Sequence, residues 1–139
     1  MLLPMAVVVV SSILYHVAQR SIPAGAPPLL SLLVSYGVAI VGTLALLPFF
    51  PVPTPLGRGF RQLNWASAAI GLTIVGVELG FLLAYRAGWR ISVGAAVSNA
   101  AVAALLVPVG LLAYGERLSG VNVFGLLLCV AGLLLAMAR

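Results

Sequence analysis

Five apolar runs follow one another along this chain, near residues 2 to 19, 29 to 50, 65 to 86, 92 to 114 and 120 to 138, separated by short stretches of arginine, proline and glycine. As helices rising about 1.5 Å per residue, each is long enough to cross a hydrocarbon core of roughly 30 Å. Hydrophobic residues make up 63% of the 139 positions and charged residues 6%, far below the roughly 25% charged content of soluble domains. So few charges cannot cover a water-facing surface, so a soluble globular fold is excluded. The expected architecture is a single all-α membrane domain over residues 1–139 with five transmembrane helices.

The connections carry the remaining composition. Segment 51–64, PVPTPLGRGFRQLN, is expected as a surface loop along the lipid headgroups, with Arg58 and Arg61 in it. Arg86-Ala87-Gly88-Trp89-Arg90 combines a helix-ending glycine with an interfacial tryptophan and two arginines placed to snorkel, and Trp65 marks the opposite interface. Pro108 is expected to bend span four. The net charge of +5 comes from seven arginines spread singly or in pairs, not from a patch, so no nucleic-acid partner is expected. The run Leu2 to Ala18 lacks a basic leader and is taken as a membrane span, not a cleaved signal.

An odd number of spans places the termini on opposite sides. Arg58, Arg61 and Arg117 then face one side and Arg20, Arg86, Arg90 and Arg139 the other, which is three against four. Orientation depends on a marked excess of basic residues on the cytoplasmic side, and none is present. Either other features fix one orientation, or two copies insert oppositely and associate as an antiparallel homodimer, like the inverted repeats of many secondary transporters.

Glu78 is the most informative residue: it lies about three residues beyond the centre of span three, some 4 to 5 Å from the midplane. Acids at that depth are expensive and usually face a bundle interior or wet cavity, binding protons, ions or substrate. The alternative is a protonated Glu78 that hydrogen-bonds a neighbouring helix. Ile74, Leu82 and Tyr85 share its face, with Arg86 close to it two turns along. Tyr85 can donate into a cavity and Arg86 attract an anion at its mouth, or both can be interface anchors.

In span one Tyr15, His16, Gln19 and Arg20 form a polar end. His16 titrates near neutral pH as a type, and Tyr15 and His16 are candidates for the same substrate or proton site or else interfacial residues. Ser11 and Ser12 can bond back to their own helix. Asn99 in span four needs a partner, either on another helix or in the Glu78 cavity. Small residues recur as Gly76 and Gly80, as Gly94 and Ser98, and as Gly125, Cys129 and Gly132. The first two sets are expected to pack helices within a subunit, and the Gly125–Cys129–Gly132 face to form a dimer interface.

With one histidine, two acids and one cysteine, no metal site of ordinary ligand count, nucleophile with a base, or phosphate loop can be read. An enzyme is not expected, and no cofactor is implied.

Val107-Pro108-Val109-Gly110, then Tyr114-Gly115-Glu116-Arg117-Leu118-Ser119, then Gly125 and Gly132 in a leucine-rich closing helix resemble the end of an EamA-type repeat of the drug/metabolite transporter superfamily, as does Phe81-Leu82-Leu83-Ala84-Tyr85-Arg86-Ala87-Gly88 upstream. The resemblance covers residues 65 to 139 and spans one and two only loosely. Most members carry two inverted five-span halves, so the resemblance implies a five-span bacterial or archaeal inner-membrane transporter paired as an inverted homodimer. Glu116 and Arg117 match the family turn and are taken as a structural signature. Small multidrug resistance relatives carry an essential acid in their first span, and this chain has none there. The function expected is alternating-access transport or export of a small metabolite or amphipathic solute, with or without proton coupling; the rival is an accessory membrane subunit, or a lipid-carrier-moving relative, without transport of its own.

Overall fold

A computed structural model describes residues 2–50, 55–117 and 119–137, without the side chains of Leu56, Leu133 and Ala136. Among the described residues six helices follow in order: α1 (Leu2–Ser21), α2 (Pro28–Leu46), α3 (Leu56–Gln62), α4 (Trp65–Arg86), α5 (Ile91–Ala113) and α6 (Gly120–Met137). Among the described residues there is no strand. Helices α1, α2, α4 and α5 are each long and apolar enough to cross a membrane, which marks the chain as an integral membrane protein. In α6 the uninterrupted described stretch, Gly120–Gly132, is shorter than a span. Arg139, Leu118, Pro51 to Thr54 and the last residue of the expected fifth span lie outside the described residues.

Local chemistry explains the boundaries. The Asn64 side-chain oxygen accepts the Ala66 N–H at 3.0 Å and caps α4, while Ser119 Oγ accepts the Asn122 N–H at 3.2 Å and caps α6. Gly88, at φ +95°, turns the chain between α4 and α5. Helix α2 ends at Leu46, four residues before the expected end of its span. Pro48 offers no N–H to the Leu44 carbonyl, which accepts the Leu47 N–H at 3.2 Å. The Leu46 carbonyl is instead closed by the N–H groups of Phe49 and Phe50, at 3.0 and 3.1 Å. The segment expected as a loop contains α3, which begins directly after Pro55 and carries the exposed Arg58 and Arg61. Helix α5 continues through Pro108 without interruption.

After α5, Gly115 adopts the left-handed conformation at φ +62°, and the Glu116 N–H returns to the Gly110 carbonyl at 3.0 Å. The Glu116 side chain folds over the same glycine, with Oε2 2.5 Å from where a Cβ on Gly110 would stand. The quoted turn motif therefore has a mechanical content: glycines where the chain must reverse and be covered, serine where the next helix must be capped. The hydroxyls of Ser35, Thr43 and Thr73 bond back to Ser31, Ala39 and Ile70 carbonyls on their own helices, so these polar side chains need no partner elsewhere.

Two compact units form, Met1–Val17 with Ala87–Arg139, and Ala18–Arg86. In the first, α5 packs on α6, and Gly94 and Gly110 are buried. In the second, α2 packs on α4, with Leu32, Leu82, Tyr85 and Gln19 as its buried residues. Most other apolar side chains are exposed, including Val7 to Val10, Leu33, Val34 and Leu72. Exposure of this kind is suited to lipid, where helix faces need no apolar cover.

Candidate functional site

In the Ala18–Arg86 unit two packed helices each carry a polar side chain at mid-helix depth. Glu78 lies about 4 Å along α4 from that helix's centre, and Tyr36 about 1.5 Å along α2 from the centre of α2. The helices carrying them pack together. Glu78 Oε2 and Tyr36 Oη are buried, and neither atom has a hydrogen-bond partner. A buried polar atom left unpaired costs about 1–3 kcal/mol, so a pair of them is an unusual feature of a folded chain. Chemically the two are complementary to a guest: the phenol donates one hydrogen bond, and the carboxyl accepts one or carries a proton.

Tyr36 was not among the residues singled out from sequence. The usable signal was its position, because membrane tyrosines concentrate at the interfaces and this one sits at the middle of its helix. Of the residues expected on the Glu78 face, Leu82 and Tyr85 are buried, while Ile74 is exposed.

Tyr85 and Arg86 belong to a second locus at the C-terminal end of α4, about 10 to 12 Å along the helix from Glu78. The Phe81 ring stacks on Tyr85 with centroids 5.8 Å apart. Arg20 Nη1, from the last turn of α1, donates to the Tyr85 carbonyl, a favourable place for a cation at a helix C-terminus. Arg86 Nη2 donates to the carbonyls of Ala26 at 2.7 Å and Pro23 at 3.3 Å and so ties the α1–α2 connection to α4. Its Nε is buried without a partner. Gln19, Arg20, Ala24, Leu82, Tyr85 and Arg86 border a cavity of about 320 Å³.

The remaining candidates lie in the other unit. Tyr15 and His16, both half-buried, meet edge to face with centroids 5.2 Å apart, and Asn99 is exposed on α5. On α6, Gly125, Cys129 and Gly132 are all exposed, with nothing within 4 Å of a Cβ built on either glycine. On α4, Gly76 and Gly80 likewise face open space, contrary to the close packing within the subunit expected of them. Contact between α4 and α2 is made on another face, where Leu82 is buried. Gly94, by contrast, is buried as expected. Among the described residues no three His, Cys, Asp or Glu side chains come together.

In comparisons with known proteins, no family model, curated protein or solved structure matches the chain. The likeness to EamA-type repeats therefore rests on the residues quoted for it.

Proposed function

We propose that this chain is a half-size secondary transporter of the bacterial or archaeal inner membrane: five spans, with α6 as the fifth, paired as an inverted homodimer of the EamA-like kind. It moves a small metabolite or amphipathic solute by alternating access, with Glu78 as the proton- or substrate-binding carboxylate and the Tyr36 hydroxyl as a second hydrogen-bonding group offered to the guest. The observation that carries this reading is the pair of buried, unpartnered atoms, Tyr36 Oη and Glu78 Oε2, at the middle of two packed apolar helices. Acids at that depth are rare and costly, and they commonly mark substrate, ion or proton pathways. A guest arriving between them supplies the missing hydrogen bonds and lets a proton leave or join Glu78 in exchange.

The test is flux into proteoliposomes under an imposed pH gradient, with a panel of amino acids, amphipathic amines and small organic acids. The wild-type protein should move at least one of them in a gradient-dependent way, and Glu78→Gln, which keeps volume but cannot titrate, should not. No flux from a folded wild-type protein, or an unchanged pH response in the Gln variant, removes the transport reading and leaves the accessory-subunit one.

A further inference from the structure

We propose that the cavity at the C-terminal end of α4 is an anion site that takes a phosphate group, held between the guanidiniums of Arg20 and Arg86. Three observations converge on it. The first is uncompensated charge: both arginines border the cavity, and the unit Ala18–Arg86 contains one acid, Glu78, eight residues back along α4. The second is orientation without neutralisation. Both guanidiniums are fixed by hydrogen bonds to backbone carbonyls, those of Tyr85, Ala26 and Pro23, which position them but cancel no charge. A guanidinium has five N–H donors, so each keeps donors in reserve, and Arg86 Nε is buried with none of its capacity used.

The third is shape and depth. The volume of about 320 Å³ is at the lower end of small-ligand cavities. Ile22, Ala24 and Leu82 give it an apolar part of the lining beside the two arginines. That combination suits a phosphate with a short apolar stem, and a phosphate offers more acceptor oxygens to two planar forks than a carboxylate does. The 22 residues of α4 span about 33 Å, which brings Arg86 to the level of lipid headgroups. The same chemistry is presented by a lipid headgroup and by a water-soluble phosphate ester. The site is separate from Glu78 and does not depend on transport.

The experiment is native mass spectrometry of the full chain in neutral detergent, titrated in one arm with short-chain phosphatidic acid and in the other with glycerol 3-phosphate. Wild type is expected to retain phosphatidic acid. Ala24→Phe fills the cavity and leaves both arginines in place, and it should weaken binding by about tenfold or more. Arg86→Lys keeps the charge but loses the fork and should weaken it several-fold. Retention in the lipid arm alone assigns the site to a headgroup; retention in both arms, each abolished by Ala24→Phe, assigns it to a soluble phosphate ester. If wild type binds neither compound, or if Ala24→Phe with unchanged helical circular dichroism binds as wild type does, the proposal is overturned.

Discussion

Replacing Tyr36 with phenylalanine separates the demands of folding from those of function. The ring stays and only Oη is removed, an atom that is buried with no hydrogen-bond partner. An unpaired buried hydroxyl costs about 1–3 kcal/mol, and Tyr36 is only half-buried, so the lower end applies. Tyr36→Phe should therefore stabilise the chain by about 1 kcal/mol, a factor of about five in the folded ratio. Flux should fall, because the donor offered to the guest is gone. This is the trade expected where polar groups are kept for activity at the expense of stability. The assay is unfolding in mixed micelles with a denaturing detergent, followed by helical circular dichroism, on wild type, Tyr36→Phe, Glu78→Gln and the double variant. A non-zero coupling energy between the two positions is expected if one guest bridges them, since they lie on packed helices and each leaves a buried polar atom unpaired. If Tyr36→Phe is instead less stable by about 1 kcal/mol, a typical hydrogen bond's contribution, the hydroxyl is a structural donor and the argument from orphaned groups fails.

Three further outcomes follow from the backbone and the exposed small-residue face. Gly115→Ala forces an alanine into the left-handed region at φ +62° and should cost about 1–2 kcal/mol in the same unfolding assay, with Gly115→Asn costing less. Gly125→Leu and Gly132→Leu place bulk on a face that is open in the single chain, so each should shift dimer to monomer in detergent cross-linking with little change in helical signal. Reporter fusions at the C-terminus should give signal from both sides of the membrane, and two added arginines on one side should bias them.

The helices were legible in proportion to how local their causes are. Span three, expected over 65–86, is the helix Trp65–Arg86, because the Asn64 cap and the Gly88 turn are written next to it. The expected span two runs past Leu46 because apolar character continues through Leu47 to Phe50, while the N–H that Pro48 lacks breaks the hydrogen-bond ladder whatever the hydropathy. Helix α3 was hidden by the prolines and glycines around it, although Pro55 leaves the following residues free to wind. The site was legible only in part. Glu78 announces itself, since no other acid lies within a span. Tyr36 becomes visible only when α2 is laid on α4, and the meeting of Arg20 with Arg86 only when the α1–α2 connection folds back to the end of α4. Each arginine by itself looks like an ordinary snorkelling anchor.

Whether Glu78 borders a cavity that solutes reach can be measured directly. Cys129 is the chain's one cysteine, so Cys129→Ser provides a background in which Glu78→Cys is the sole thiol. Intact proteoliposomes of that variant are treated with a membrane-impermeant maleimide, and labelling is compared with that after detergent solubilisation. A transport site at mid-membrane must meet water in at least one of its states, so position 78 should react in the intact membrane. A thiol that stays unreactive until detergent opens the membrane would show position 78 sealed between helices, and the transport account would be wrong.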